Sequence, residues 1–390
     1  MTHSVLGVLL IQILISCQIG SIQSAPLSSY LVSSFTPPDS DFKLPFNHIA
    51  FNNITGDIYI GARERLYQLG SDLNVKQTVN TGKCQNDEGL FNDNKLLIAV
   101  VTPQKYTLVA CGGCDVNCQT RDLANISLDQ GYSTDTVVAT GDNPTVGVVA
   151  FGFNVNCQTD ERDTLDEYLY LYTGISGKGK SETRFISKLT LSDLSIQQYI
   201  PIHDITSDIR FTFKHVISYK DYIYYFISRK QNTYLGGFCR KTLDCEFESY
   251  TEIMLQCEPN NDMNEVIQSA QIGPAGSQLA ESMNINSTDD LLYVAFSSTS
   301  SFSLCVYKMI DVQQRFDDAI LGCILGTGTG TTNTFLERQN EESKCGQSGS
   351  PGDLFNRKPD KQMTSELDGM EPEVYKNALL PVLSVVFPPK

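Results

Sequence analysis

The sequence has no tryptophan, only four histidines and a shortage of basic residues across its 390 positions. Without tryptophan it cannot carry the tryptophan-containing signature of WD-repeat blades. Lys and Arg total 29 against 45 Asp and Glu, which gives a formal net charge of −16. Because phosphate binding needs a basic face, this balance excludes nucleic acid as the expected partner.

The common catalytic motifs are also missing. No HExxH, GxSxG or Walker sequence is present, so nothing signals a zinc protease, an α/β-hydrolase or a phosphate-binding loop. His48 and His215 stand at the starts of predicted strands and are interpreted as structural. We therefore predict no catalytic residue, no cofactor and no metal site. One enzymatic alternative stays open, a carbohydrate-active enzyme with paired carboxylates on a propeller scaffold.

What is present indicates a folded, exported protein. Hydrophobic residues make up 41% of the chain and charged residues 19%, a composition that can bury a core. The apolar run Val5–Ile15, followed by Ser24-Ala25, has the layout of a secretory signal. Residues 1–25 are thus predicted to be a signal peptide, with an N-terminal membrane anchor as the alternative. No run reaches the about 20 apolar residues that a bilayer span needs, so no membrane span is predicted.

A repeated pattern of aspartate followed by alternating aromatic and aliphatic residues runs along the chain. It begins at Asp57, Asp166, Asp221 and Asp290, and a second apolar stretch follows most of these segments. Paired strands recurring every roughly 50–70 residues are typical of a β-propeller built from four-stranded blades. A string of separate β-sandwiches is the alternative.

Several motifs match one family in order and spacing. They are Phe46-Asn-His-Ile-Ala with Thr55-Gly-Asp-Ile-Tyr-Ile-Gly, Asn94-Lys-Leu-Leu with Ala110-Cys-Gly, Phe238-Cys-Arg, and Ser303-Leu-Cys-Val-Tyr. Over roughly residues 45–345 the chain resembles sema domains, and those of the plexin family in particular. The resemblance implies an all-β, sema-type β-propeller, which is seven-bladed in the family and incomplete here, with about six blades.

The expected organisation follows from these segments. The sema propeller is predicted over residues 26–345, and residues 346–390 are predicted to be polar loop with one last strand within Leu379–Phe387. Short helices are predicted around Asp317–Leu321 and Met370–Asn377. The other parts of a plexin are not found, so a truncated gene model and a short secreted form are both retained.

The resemblance also implies a function. We expect a non-enzymatic extracellular recognition domain of a plexin-like semaphorin receptor, which binds the sema domain of a semaphorin-like protein. Its location would be extracellular as written, or the outer face of the plasma membrane in a full receptor. A homo-oligomer and a semaphorin-like secreted ligand remain alternatives.

Twelve cysteines are present, and removing Cys17 with the signal leaves an odd number, eleven, in an oxidising compartment. The resemblance implies disulfides between Cys111 and Cys118, Cys257 and Cys305, and Cys323 and Cys345. Two further pairs are expected, and Cys157 is the candidate for the odd thiol; those pairs are Cys84 with Cys114 and Cys239 with Cys245. The alternative for Cys84, Cys111, Cys114 and Cys118 is a four-cysteine zinc site.

Three sequons, at Asn53, Asn125 and Asn286, are candidate N-glycosylation sites, whereas proline blocks the triplet at Asn143. An acidic segment is the second surface candidate and contains Asp160, Glu161, Asp163, Asp166 and Glu167. It is predicted to be an exposed loop in the third blade, and the resemblance implies that this region contacts a basic face of a semaphorin. A calcium site and a simple solvated loop are the alternatives.

Overall fold

The structure is a computed structural model, and it describes part of the chain. The described residues are 34–37, 45–81, 94–102, 105–112, 117–133, 138–139, 143–155, 162–178, 184–201, 210–229, 232–240, 250–257, 266–297, 302–324 and 383–387. Only the backbone is described at 132, 153–155, 162–167, 178, 184–185, 201, 320–324 and 383–387. The signal peptide and the predicted boundary at 345/346 lie outside these residues, so the domain limits stay predictions.

The chain divides into two compact units. The first comprises Met1–Ala150, Leu169–Ser176 and Ile186–Tyr199, and the second comprises Phe151–Tyr168, Gly177–Phe185 and Ile200–Lys390. Their described residues form antiparallel sheets with few helices, which confirms the all-β prediction.

The first two sheets lie in the first unit, and each joins four strands in chain order. Their strands are β1 (Phe46–Phe51), β2 (Ile58–Ala62), β3 (Arg65–Leu69) and β4 (Val75–Asn80), then β5 (Asn94–Val101), β6 (Tyr106–Gly112), β7 (Cys118–Asp122) and β8 (Asp129–Tyr132). Tyr59 and Leu66 of the first sheet pack against Leu97 and Leu108 of the second in one buried cluster. The alternating apolar residues of the sequence pattern are the ones that this cluster buries.

A third sheet has the order β13-β12-β10-β9. Its strands are β9 (Thr145–Val155), β10 (Arg162–Ile175), β12 (Arg184–Thr190) and β13 (Ile196–Pro201). Within the first unit, Leu171 and Leu189 of this sheet pack with Leu96 and Val109 of the second sheet. The short strand β11 (Gly177–Lys178) instead pairs with the next sheet.

The second unit holds a five-stranded sheet, β11-β14-β15-β16-β17, and a four-stranded sheet, β18-β19-β20-β21. Their remaining strands are β14 (Arg210–Tyr219), β15 (Tyr222–Arg229), β16 (Asn232–Cys239), β17 (Thr251–Leu255), β18 (Val266–Pro274), β19 (Asp290–Ser297), β20 (Phe302–Lys308) and β21 (Leu383–Phe387). A large buried cluster joins the two sheets and includes Phe226, Leu255, Val294 and Tyr307.

The described residues also form two helices, α1 (Gly276–Met283) and α2 (Met309–Ile324). Helix α2 contains the predicted stretch Asp317–Leu321 but starts eight residues earlier, because Met309, Val312 and Phe316 fill the cluster between the two sheets. Helix α1 was not predicted, since only Ala280 of its residues is buried and its apolar stripe is narrow. The second predicted helix, Met370–Asn377, lies outside the described residues.

The aspartates of the sequence repeat have a structural position in common. Asp57 and Asp221 stand directly before β2 and β15, and Asp290 is the first residue of β19. Each therefore stands where the chain enters a strand from the strand before it, at the β1–β2, β14–β15 and β18–β19 connections. Asp166 departs from the pattern because it lies inside the longer strand β10.

The two histidines interpreted as structural occupy different places in their strands. His48 is the third residue of β1 and pairs across the sheet with Gly61, where it is only partly exposed. His215 lies in the middle of β14 rather than at its start, so that part of the prediction is wrong. Burial lowers the pKa of both imidazoles, and that of His48 falls to about 4.

Acidification should expose the effect of His48 on stability. Its pKa is about 4 in the fold and about 6.5 in an unfolded chain. The unfolded state therefore binds more protons between these values, and the free energy of unfolding should fall as the pH drops from about 6.5 to 4. The contribution is at most about 3 kcal/mol.

Urea unfolding at several pH values would measure this slope in the native chain and in His48→Gln. The slope should flatten in His48→Gln. Equal slopes for the native chain and His48→Gln would contradict the assignment.

Candidate protein-binding surface

Strand order fixes which connections share an end of a sheet. In a four-stranded antiparallel meander, the connection between strands one and two lies at the same end as the connection between strands three and four. We call this the 1–2 end of a sheet. The turns β1–β2 and β7–β8 in the first unit are both 1–2-end connections, as is the β18–β19 connection in the second unit.

A hydrogen-bond network ties the two 1–2-end turns of the first unit together. The Tyr59 hydroxyl and the Gln68 Nε2 both donate to the Leu123 carbonyl oxygen, at 2.7 and 3.1 Å. Gln68 Nε2 also donates to Asp57 Oδ2 at 3.1 Å, and Lys76 Nζ lies 2.5 Å from Asp57 Oδ1. Burial raises the pKa of Tyr59 to about 12, so its hydroxyl stays a donor at neutral pH.

A depression of 440 Å³ opens in the second unit between β14 and β18. The Tyr219 hydroxyl donates to Asp290 Oδ2 at 2.8 Å, and the Lys220 Nζ lies 4.9 Å from the centroid of the Tyr219 ring. Burial and the bond to Asp290 both raise the pKa of Tyr219, and a hydrogen bond with Tyr219 raises that of Lys220. His215 lines the depression with a lowered pKa, which keeps it neutral.

The depression does not contain the groups that the enzymatic alternative requires. Hydrolysis of a glycosidic bond uses two facing carboxyl groups, whereas Asp290 is the one carboxylate among the residues that line this depression. The described parts of the chain also contain no group of three His, Cys, Asp or Glu that could hold a metal ion.

The structure places the acidic segment only in part. Asp160 and Glu161 lie outside the described residues, and the backbone of Asp163, Asp166 and Glu167 belongs to strand β10. The predicted loop is therefore wrong for residues 162–167, because β10 begins at Arg162, earlier than the polar sequence indicates. The role of these five acidic residues in binding stays a prediction.

Two of the expected disulfides are present. Cys111 is bonded to Cys118 and Cys257 to Cys305, and all four residues are buried. Because Cys111 and Cys118 are joined to each other, they are not the thiolate ligands that the zinc alternative requires.

The other cysteine predictions fall on residues whose positions or side chains are not described. Cys84, Cys114, Cys157, Cys245 and Cys345 lie outside the described residues. Cys323 is described only as backbone within α2, and Cys239 ends β16 with its side chain half-buried. The pairs involving these residues stay predictions.

The three sequons are accessible at the protein surface. Asn53 and Asn286 are exposed, and Asn125 is partly exposed. Asn53 lies in the β1–β2 turn, Asn125 between β7 and β8, and Asn286 between α1 and β19. Each sequon thus lies at the 1–2 end of its own sheet, a relation that the triplets alone do not reveal.

Sequence reasoning missed Tyr219 and Lys220 as surface groups. Asp221 and Asp290 both belong to the repeated pattern, so the Lys220-Asp221 turn could have been found from it. The contact between Tyr219 and Asp290 depends on the packing of β14 against β18, which no local pattern encodes.

This architecture, antiparallel sheets of four or five strands that follow one another along the chain, is that of a sema-type β-propeller. A solved structure of the Plexin A4 full extracellular region matches with a TM-score of 0.60 and 22% identity, and covers 73% of this chain and 36% of that chain. The match confirms the predicted fold class.

Sequence comparison points to the same group of proteins. The chain is 24% identical to Plexin-A4 of Homo sapiens over 79% of its length, and 25% identical to Plexin-B2 of Mus musculus over 77%. No family model matches. The chain carries a plexin-like sema domain, and it spans about a fifth of the length of these relatives, 19% and 17% respectively. No helix in its described part is long and apolar enough to cross a membrane.

Proposed function

We propose that this chain is the extracellular recognition domain of a plexin-like receptor and binds the sema domain of a semaphorin-like protein without catalysis. The similarity to plexins over more than three quarters of the chain is the observation that carries this proposal. The sema-type fold and the single carboxylate in the depression of the second unit add support. If the chain belongs to a longer receptor, its location is the outer face of the plasma membrane.

The contact is proposed to involve the acidic segment Asp160, Glu161, Asp163, Asp166 and Glu167. The formal net charge of −16 favours a partner with a basic face. Complementary charges of this kind accelerate encounter and select partners more than they raise affinity. The complex should therefore associate more slowly as salt rises.

Charge reversal tests this contact. Asp163→Lys, Asp166→Lys and Glu167→Lys together should reduce the association rate with a semaphorin sema domain by about tenfold at low salt, because steering is lost. The difference should shrink near physiological salt. Surface plasmon resonance at two ionic strengths would measure both rates.

The matched control reverses three exposed acidic residues elsewhere, Asp129, Glu281 and Asp317. It changes the net charge by the same amount, so it separates a local contact from a general charge effect. If the association rate falls equally in both variants, or in neither, the acidic segment is not the contact. Absence of binding by the native chain to any semaphorin tested would count against the proposed function itself.

A further inference from the structure

The 1–2 end of the first two sheets combines sequons with exposed apolar side chains. Phe51, Ile54 and Leu128 are 58%, 67% and 54% exposed, and they flank Asn53 or Asn125 in the chain. Side chains of this size are usually buried, and a group of exposed ones indicates a surface that another molecule covers. The feature is not explained by the acidic segment or by the depression in the second unit.

The two asparagines belong to one surface because their turns are connected. Leu123, two residues before Asn125, accepts hydrogen bonds from Tyr59 and Gln68 of the first sheet. Asp57, four residues after Asn53, accepts from Gln68 in the same network. This network holds the β1–β2 and β7–β8 turns side by side within the first unit.

The folded turns leave the reacting nitrogen atoms available. In the second turn, Asn125 Oδ1 accepts from the Ser127 backbone nitrogen at 3.2 Å and from the Ser127 hydroxyl at 2.6 Å. Both bonds use the oxygen of the amide and not its nitrogen. In the first turn, Asn52 Oδ1 accepts from the backbone nitrogens of Ile54 and Thr55, and Asn53 itself is exposed. A sugar on either Nδ2 therefore leaves these turn bonds in place.

We propose that Asn53 and Asn125 both carry N-linked oligosaccharides, which cover the shared 1–2 end of the first two sheets. The donor is a lipid-linked oligosaccharide pyrophosphate of the secretory pathway. Asparagine Nδ2 forms a bond to C1 of the sugar as the C1–oxygen bond to pyrophosphate breaks. The pyrophosphate leaves with the electron pair, and Nδ2 gives up one proton to a base of the transferase. The sugar's apolar faces lie over Phe51, Ile54 and Leu128.

This assignment has a consequence for binding. A bulky, hydrated oligosaccharide at this end prevents a protein partner from docking flat against it. Protein contacts of the first unit would then use the opposite ends or the edges of its sheets. The inference depends on export of the chain but not on the identity of its partner.

Site occupancy can be measured directly on the native chain secreted from animal cells. Peptide N-glycosidase in ¹⁸O-labelled water converts each occupied asparagine to labelled aspartate, which peptide mass spectrometry locates. Label at both Asn53 and Asn125 is the expected result. An unlabelled asparagine at either position in the secreted protein would overturn the proposal.

Variants provide a second measurement. Asn53→Gln and Ser127→Ala should each lose the mass of one oligosaccharide, and the combined variant should lose two. Ser127→Thr keeps the sequon and should keep the sugar, whereas Asn143→Gln, at the proline-blocked triplet, should leave the mass unchanged. A Ser127→Ala chain of native mass would contradict the assignment of Asn125.

The reactivity of a lysine at the 1–2 end of the first two sheets measures whether the sugars cover this end. Lys76 is exposed at this end and is paired with Asp57. Acetylation of the Lys76 amine by an amine-reactive acetyl ester should be faster in the combined variant than in the glycosylated chain. An equal rate would show that the sugars do not lie over this end and would overturn that part of the proposal.

Discussion

Replacing Arg229 by methionine should lower the free energy of unfolding by about 3–5 kcal/mol, because it leaves the carboxylate of Glu252 buried without its charge partner. Arg229 Nη2 and Glu252 Oε2 form an ion pair between β15 and β17, and the two residues are 6% and 2% exposed. The Tyr250 hydroxyl donates to the other carboxylate oxygen, Oε1, at 2.6 Å. The guanidinium also lies 3.9 Å from the centroid of the Tyr234 ring, so its loss removes a cation–π contact as well.

Two comparisons make this prediction specific to the buried charge. Arg229→Met with Glu252→Gln should cost clearly less than Arg229→Met alone, because no unpaired charge remains. Lys76→Met breaks a pair in which the lysine side chain is 51% exposed and the Asp57 side chain 8%. Because Asp57 keeps the hydrogen bond from Gln68 Nε2, this change should cost about 1 kcal/mol, clearly less than Arg229→Met. Urea denaturation would measure all three. If Lys76→Met and Arg229→Met cost the same, burial would not be the cause.

The pH dependence of the Arg229→Met chain provides a further check. Burial raises the pKa of Glu252 in the native chain, and Arg229 opposes that rise. Without Arg229 the pKa should rise further above the unfolded value. A carboxyl group with a raised pKa in the fold loses its stabilising contribution as pH rises, so Arg229→Met should recover stability on acidification from pH 7 to 5.

Removing the Cys257–Cys305 disulfide should cost about 4 kcal/mol, and removing Cys111–Cys118 about 2.4 kcal/mol. The two bonds close loops of very different length, with sequence separations of 48 and 7. The longer loop gives the unfolded chain more conformations to regain when the bond is absent. Both pairs are buried, so the comparison is matched for environment.

Alanine replacement of both cysteines in each pair would test this order, with urea unfolding as the measurement. The Cys257–Cys305 bond also joins β20 to the second residue after β17, within the cluster shared by the two sheets of the second unit. Loss of native packing there should add to the entropic cost. A larger cost for Cys111–Cys118 would contradict the loop-length explanation.

Part of the fold could be predicted because its signals are local. The alternation after Asp57, Asp221 and Asp290 predicts strands because every second side chain of a strand faces the same side. The cysteine pairs at 111/118 and 257/305 were not local signals, and they were implied by the resemblance to the plexin family. Strand ends were harder to place, and the acidic residues 162–167 extend β10 although their composition favours a loop.

The candidate surface was harder to predict from sequence because its members lie far apart in the chain. Tyr219 and Asp290 are 71 residues apart, and Tyr59 and Leu123 are 64 apart, yet each pair shares a hydrogen bond. Nothing at either position specifies its partner. Similarly, a sequon marks a candidate asparagine but does not tell which end of a sheet carries it.

The sequence by itself determined the strand pattern, the acidic character of the chain and the plexin-like order of its motifs, since these depend on composition and short-range periodicity. Only the tertiary structure decided that Arg229 meets Glu252, that α2 fills the core of the second unit, and that Asn53 and Asn125 share one end of two sheets. The physical reason is that such pairings depend on how the sheets pack, and that packing is set by many distant apolar contacts together rather than by any one residue.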